Sequence, residues 1–177
     1  DSIKEGFERI SRHSKYLRYF STNPKLTPDY LALLTSNDEK TNFVLGACDL
    51  TISETYGIGL ARYLKCKDEP DTAEISIVVV DAYQKRGLGT IFLDLLMKKA
   101  RENGIKSLCG YVLPQNRVML HMLNRVNAGF LPLEYNTIRI DIPLVSKNKF
   151  KELLFAANRI VRARSPEKKK DKILPEY

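Results

Sequence analysis

Apolar positions follow two different periods along this chain, and the change between them is sharpest at residues 73–104. Just after residue 73, a crowded run of β-branched side chains is typical of a buried strand: Ile75, Ile77, Val78, Val79 and Val80. After a short turn, apolar residues recur at helical spacing instead: Leu88, Ile91, Phe92, Leu95 and Leu96. We therefore predict a strand, a turn over residues 84–90, and a helix that Gly104 terminates.

Weaker patterns on both sides of this segment predict further elements. Helical spacing occurs at residues 3–10, 16–20 and 116–127, and Thr27 with Pro28 is typical of a helix start. The remaining apolar runs predict strands at residues 43–50, 58–64, 107–113, 131–133 and 136–142. This order of strands and helices indicates an α/β (α+β) fold for residues 1–143, with an amphipathic C-terminal helix at 144–164 and a charged flexible tail at 165–177.

Composition narrows the class of protein. The chain has 177 residues, 44% hydrophobic and 28% charged, and no apolar run approaches the ~20 residues of a membrane span. Its three cysteines lack metal-binding spacing, and there are only two histidines, so we expect neither a disulfide framework nor a metal site. We expect a cytoplasmic protein that is a monomer or a homodimer. The chain starts at Asp1, which fits processing or a piece of a longer protein.

The turn at residues 84–90 has the features of an anion-binding site. The first N–H groups of a helix lack internal partners, and the helix dipole adds positive potential there. Lys85 and Arg86 add charge, while Gly87 and Gly89 allow close approach to the backbone. A Walker loop is excluded because no Gly-Lys-Ser/Thr follows Gly87, and Phe92 occupies the place of the third glycine in a dinucleotide fingerprint.

The turn resembles the acyl-CoA pyrophosphate loop of the Gcn5-related N-acetyltransferases, through Gln84-x-x-Gly87-x-Gly89. Asn116, which follows a strand, and Gly129-Phe130, which close a helix, match two more features of that family. The likeness runs over roughly residues 5–142. It implies a mixed, mostly antiparallel sheet that is splayed at the central strand, with helices on both faces.

The resemblance also implies that acetyl-CoA is the cosubstrate, bound without a metal. Its expected contacts are Val78, Val79, Val80, Gln84, Lys85, Arg86, Gly87, Leu88, Gly89, Thr90 and Asn116. A strand bulge near Val79 and Val80 is expected to free a backbone N–H for the thioester oxygen.

A narrower resemblance, to bacterial protein lysine acetyltransferases that modify acyl-CoA synthetases, rests on two segments. One is Ser11-x-x-Ser14-x-Tyr16-Leu17-Arg18-Tyr19-Phe20, and the other is Ala73-Glu74 before the valine run. It implies that Glu74 is the general base. On a strand, Glu74 shares a face with Ser76 and Val78. A partly buried carboxylate would suit a general base, and a solvated residue at the end of the strand is the alternative. Arg18 and its aromatic neighbours either line the acceptor cleft or brace it, and we favour bracing.

Three positions depart from the family pattern. No residues upstream of Ile3 supply the usual first strand, so the sheet is expected to be one strand shorter or the chain truncated. Leu123 occupies the position at which many relatives carry a tyrosine that acts as general acid. Tyr111 is another candidate for this role, but we favour a structural role for it. The spacing from Asn116 to Gly129 exceeds the commonest one, so the helix is expected to end in a kink or an extension.

The function that the sequence predicts is acetyl transfer from acetyl-CoA to an amine, with a protein lysine as first choice of acceptor. A small-molecule amine is the first alternative, and a non-catalytic acyl-CoA-sensing module is the second. The net charge of +8 permits a nucleic-acid binder, but the basic residues are not interleaved with aromatics outside residues 15–20, so none is expected. We expect Cys109 to be structural, because no histidine pairs with it in the pattern.

Overall fold

A computed structural model describes residues 2–144, and the predicted C-terminal helix and tail lie outside the described residues. Three short helices come first: α1 (Ser2–Glu8), α2 (Arg12–Tyr19) and α3 (Pro28–Thr35). The strands that follow are β1 (Asn42–Cys48), β2 (Gly57–Lys65) and β3 (Thr72–Val79). A 3-10 turn (Asp81–Tyr83) leads to α4 (Leu88–Glu102), β4 (Ser107–Val112), α5 (Arg117–Asn124), β5 (Gly129–Leu133) and β6 (Thr137–Pro143).

The six strands form one sheet in the order β1-β2-β3-β4-β6-β5. Every neighbouring pair is antiparallel except β3 with β4, which is parallel. This is the mixed, mostly antiparallel sheet that the sequence predicts, and five α-helices accompany it in the described residues. None of these helices within residues 2–144 has the length and apolarity needed to cross a bilayer.

The core lies between the sheet and α4. Alternate residues of β2 and β3 face this helix, and Ala61 pairs with Ile77 while Tyr63 pairs with Ile75. They pack against Phe92, Leu93 and Leu96 of α4, all of which are buried. This side of β2 and β3 is the inner face. Because strand side chains alternate, Arg62, Glu74 and Ser76 lie on the opposite, outer face.

Helices α2 and α3 cover part of the outer face. The ring of Tyr30 from α3 lies 5.8 Å from the Arg62 guanidinium, and Arg18 of α2 donates a hydrogen bond to the hydroxyl of Ser76. Thr27 caps α3 as predicted, since its hydroxyl accepts from the Tyr30 N–H. Tyr16 and Phe20 stay exposed, whereas Tyr19 packs edge-on against Phe7 and Tyr30.

Candidate functional site

The central strands separate after a short paired segment. β3 is paired with β2 from Ala73 to Val79, but with β4 only at Thr72, Ala73 and Glu74. Beyond Glu74 the two parallel strands diverge, which leaves a V-shaped gap in the middle of the sheet. A cleft of about 500 Å³ opens at this gap, and its walls come from both strands, the loop after β3, α2 and α5. The splay that the family resemblance implies is therefore present.

Backbone groups of β3 point into the gap. The N–H of Val80 donates to the Ile58 carbonyl of the preceding segment at 2.9 Å. Because hydrogen-bond direction alternates along a strand, the backbone N–H of Val78 also points towards β2. The backbone N–H groups of Ile77 and Val79 point into the gap. The gap therefore holds backbone N–H donors that β4 does not satisfy.

The predicted bulge near Val79 and Val80 is wrong. The pairing of β2 with β3 runs without a shift of register up to Gly59 and Val79. The free N–H groups arise because β4 diverges, so no extra residue is needed. The donors are consequently those of Ile77 and Val79, and the N–H groups of Val78 and Val80 are used within the sheet.

The loop after β3 ends at the amino terminus of α4. Gly87 is the N-cap residue with φ of +88°, a conformation that glycine adopts without strain, and Lys85 has φ of +58°. The first intrahelical bond runs from the Ile91 N–H to the Gly87 carbonyl. The N–H groups of residues 88–90 therefore lack helical acceptors and are available to an anion.

Gly89 leaves room in the cleft beside α5. A Cβ built at this position would lie 3.5 Å from the Met122 sulfur, which is an ordinary van der Waals contact. Any side chain longer than alanine would therefore extend into the space between the two helices. This cradle suits a phosphate group that approaches the N–H groups of the first helical turn.

Asn116 caps the amino terminus of α5, which forms part of the cleft wall. Its side-chain oxygen accepts from the Met119 N–H at 3.2 Å and so caps α5. The amide nitrogen of the same side chain remains available as a donor at the cleft, which Asn116 lines.

Helix α5 ends at Asn124, earlier than predicted, because a bond from the Ala128 N–H to the Leu123 carbonyl closes a Schellman motif with Asn127 at φ of +57°.

Helix α2 is tied to the loop by a network of hydroxyl groups. The Asp81 carboxylate accepts from the Ser11 N–H at 2.9 Å and from the hydroxyls of Ser11 and Ser14 at 2.7 Å each. Partial burial would raise the Asp81 pKa, but these hydrogen bonds hold the pKa below its usual value. The side chain of Gln84 donates to Ser14 and thereby joins the network. The sequence pattern singled out both serines without assigning them this role.

Glu74 lies at the vertex of the gap. It is the last residue of β3 that pairs with β4, opposite Cys109. The side chain is exposed, because its outer-face neighbours, Leu64 and Cys109, do not cover it. Of the two environments that the sequence left open for this carboxylate, the solvated one is observed. Glu74 is not among the residues that line the cleft, but Ser76, two positions along the same face, does line it.

The predicted cofactor contacts divide into two groups. Those that line the cleft are Val78, Val79, Gln84, Lys85, Gly87, Gly89, Thr90 and Asn116. The other three lie elsewhere. Val80 is buried, Leu88 packs against the core, and the exposed Arg86 lies 5.2 Å from the ring of Tyr83. At Leu88 only the backbone N–H is placed for an anion, because the side chain faces inward.

Several cleft residues were not predicted as contacts. Ser14, Ser76, Met122 and Arg125 line the cleft. Arg18 also lines it, which is the alternative that the sequence left open beside bracing, and it donates to the Ser76 hydroxyl. Tyr111 also lines it and is 44% exposed. Ser76 could have been identified from the sequence, because side chains alternate along a strand and Ser76 therefore shares a face with Glu74. Within residues 2–144, no cluster of three or more His, Cys, Asp or Glu side chains could hold a metal ion.

Comparison with protein families gives one match that covers most of the chain. The profile of the acetyltransferase (GNAT) family matches residues 8–130. These residues include α2 and α3, the gap between β3 and β4, the loop at α4, and Asn116.

Solved structures resemble the described fold. The GNAT domain of S. lividans PAT superposes with a TM-score of 0.72 at 25% identity, over 80% of this chain and 83% of that one. The structure of yncA from Salmonella typhimurium with its cofactor acetyl-CoA gives 0.65 at 17%, over 82% and 91%. The cAMP-binding acyltransferase from Mycobacterium smegmatis gives 0.51 at 23%, over 88% of this chain but only 50% of that one.

Proposed function

Because this chain belongs to the GNAT family and is an acetyl-CoA-dependent N-acetyltransferase, we propose that its acceptor is a protein lysine and that Glu74 is the general base. The observation that carries this proposal is the position of Glu74 at the vertex of the gap between β3 and β4. An acceptor amine that reaches the gap from the outer face passes this carboxylate.

The chain's own groups provide a path for acetyl-CoA. The N–H groups of residues 88–90 and the Lys85 ammonium form the site for the pyrophosphate. The N–H groups of Ile77 and Val79, together with the Asn116 amide, are donors for the amide-containing arm and the thioester. A strand-like ligand in the gap would satisfy the backbone donors that β4 leaves free.

The transfer itself needs little covalent assistance. The amine nitrogen attacks the thioester carbon, a C–N bond forms, the C–S bond breaks, and CoA leaves as a thiolate. Negative charge that develops on the carbonyl oxygen is stabilised by a backbone N–H in the gap, in the manner of an oxyanion hole. The amine's proton passes to Glu74.

A water molecule connects the base to the amine in this proposal. Glu74 and Ile77 are separated by three residues, which is about 10 Å of extended strand. A carboxylate at the vertex therefore reaches an amine at the Ile77 N–H through solvent. The exposure of Glu74 supports such a relay, because water has access to it.

Charge around the cleft favours a protein lysine over a polyamine. Asp81 is the one acidic residue among the described residues that line the cleft, and three hydrogen bonds already engage it. The lining also includes Arg18, Lys85 and Arg125. These positive charges would repel a polyamine, which carries several cationic groups, more strongly than a lysine side chain, which carries one. The resemblance to the S. lividans PAT domain supports the same choice.

The test compares acceptors and variants in one assay. Labelled acetyl-CoA is supplied with lysine peptides blocked at their N-termini, with spermidine, or with free amino acids. We expect transfer to lysine peptides, and a 10²–10⁴-fold smaller kcat in Glu74→Gln with unchanged affinity for acetyl-CoA. Glu134→Gln, an exposed carboxylate in the β5–β6 turn, is the matched control. Transfer to spermidine alone would exclude the lysine assignment, and full activity of Glu74→Gln would exclude the base.

A further inference from the structure

A second cavity lies next to the reaction cleft. It has a volume of about 110 Å³ and lies between the N-terminal helices and the outer face of β1–β3. Aliphatic and aromatic side chains dominate its lining, including Phe7, Tyr19, Leu34 and Leu60, and none of its described lining residues is charged. Protein interiors seldom contain voids much larger than a water molecule, so an apolar cavity of this size calls for an explanation.

The cavity and the cleft share two residues. Ser76 and Val78 line both spaces, and both side chains lie on the outer face of β3. Arg18 lines the cleft and donates to Ser76, whereas the next residue, Tyr19, lines the cavity. The boundary between the two spaces is therefore a single pair of β3 side chains beneath α2.

The floor of the cavity leads directly to the thioester site. Gly46, Leu60 and Val78 are neighbours in the register of three adjacent strands and form a row across the outer face. Val78 stands next to Val79, whose N–H points into the gap. The row thus runs from the proposed acyl site to the far end of the cavity. At Gly46 a Cβ would meet no atom within 4 Å, so the space above this residue is open.

We propose that this cavity takes the hydrocarbon chain of acyl-CoA donors longer than acetyl. The inference rests on the proposed function, since it places the thioester in the gap. Apolar cavities of about 150 Å³ accept benzene, so this one has room for about four carbons beyond the acetyl group. The transferred group is then a short acyl chain; the bonds made and broken are those of acetyl transfer.

The first measurement is the dissociation constant of the wild-type chain for acetyl-, propionyl-, butyryl-, hexanoyl- and decanoyl-CoA. Burial of each methylene group predicts up to about fourfold tighter binding, and therefore up to about fifteenfold tighter binding of butyryl-CoA than of acetyl-CoA. We expect this gain to stop before decanoyl, whose chain exceeds the cavity. Equal affinity for acetyl- and butyryl-CoA would overturn the assignment of the cavity.

Two variants change the cavity in opposite directions. Gly46→Val fills the open space at the far end of the cavity, so we expect it to abolish the gain from butyryl to hexanoyl and leave acetyl-CoA binding unchanged. Leu60→Ala enlarges the cavity and is expected to move the preference to longer chains. Gly129→Val is the matched control, since its Cβ would lie 3.7 Å from the Asp141 carbonyl oxygen in β6, outside the cavity. A gain from butyryl to hexanoyl that persists in Gly46→Val would overturn the proposal.

The two proposals fail in different ways. If acetyl-CoA binds but longer chains gain nothing, only the cavity assignment is overturned. If none of the acyl-CoA esters binds, the cofactor path in the gap is overturned, and the cavity assignment with it.

Discussion

The side-chain amide of Gln84 donates a hydrogen bond of 3.0 Å to the backbone carbonyl of Val79. The loop that leads into α4 is thereby fixed to the strand whose N–H groups face the gap. A second bond from the same nitrogen to the Ser14 hydroxyl, at 3.1 Å, extends the link to α2. One side chain thus connects the phosphate end of the cleft, the acyl end and the helical wall.

Gln84→Glu is expected to weaken acetyl-CoA binding by about thirtyfold, because both hydrogen bonds of the amide nitrogen are lost. A carboxylate cannot donate to the Val79 carbonyl, and each lost hydrogen bond costs about 1 kcal/mol. Titration calorimetry measures the affinity. Gln115→Glu makes the same change of charge at an exposed residue that also lines the cleft, so it separates the loss of the bonds from added negative charge. Equal losses in both variants would mean that charge alone is responsible.

Gly89→Glu is expected to remove acetyl-CoA binding without unfolding the protein. The new carboxylate would enter the space beside Met122 and repel the phosphate from the first turn of α4. A ligand at about 100 times its dissociation constant stabilises the wild type by about 2.7 kcal/mol, which is a shift of roughly 5–10 °C in melting temperature.

The variant should show almost none of this shift, while its melting temperature without ligand stays near that of the wild type. Gly89→Ala, whose methyl group fits at 3.5 Å, is the control and should keep most of the shift. A full shift in Gly89→Glu would place the phosphate site elsewhere.

Periodicity predicted most elements of this fold, because burial of one face fixes a repeat in the local sequence. The strand before the loop and the helix up to Gly104 are examples, and the match of Gln84, Gly87 and Gly89 to a known loop gave the cofactor. The source of the free N–H groups was missed for a different reason. It depends on where β4 leaves β3, and register between strands distant in sequence is not encoded in either strand alone. For the same reason the sequence left the exposure of Glu74 open.

The end of α5 shows a second limit. The apolar spacing of residues 116–127 continues past Asn124, so the pattern predicts a longer helix. The chain leaves the helix because Asn127 adopts a left-handed conformation and Ala128 closes the last turn. Such a stop depends on a single residue, and asparagine is a weaker signal for it than glycine.

Asp81 is expected to make the docking of α2 dependent on pH. Its hydrogen bonds from Ser11 and Ser14 hold its pKa in the folded protein below the value of about 3.9 in an unfolded chain. A carboxylate with a lowered pKa stabilises the fold fully above the unfolded value, and this contribution is lost as the pH falls through the folded value.

Thermal melts of the wild type and Asp81→Asn between pH 6 and pH 2 test the direction of this dependence of stability on pH. The wild type should be the more stable protein at pH 6, and the difference should shrink below about pH 4. A difference that stays constant down to the lowest pH would show that the carboxylate charge has no part in the contact.

Cys109 is expected to be unreactive and dispensable for transfer. The residue is 3% exposed, and burial together with the nearby Cys66 thiol, 3.8 Å away, raises the pKa of its thiol to about 12. Alkylation by iodoacetamide at pH 8, read by mass spectrometry, should modify the exposed Cys48 first. Cys109→Ala should retain acetyl transfer, whereas loss of transfer in a folded variant would point to an acyl-cysteine intermediate.

The brief pairing of β3 with β4 has a consequence for the protein as a whole. Three residue pairs join the β1–β3 half of the sheet to the β4–β6 half, so the sheet is nearly two sheets. In the proposed binding mode, the donor thioester would lie where further strand pairs would otherwise form, so a ligand that can dissociate would take the place of permanent strand pairing. Amide exchange at Ile77 and Val79 would then report occupancy, and the lifetime of the folded enzyme would rise and fall with the supply of its own cosubstrate.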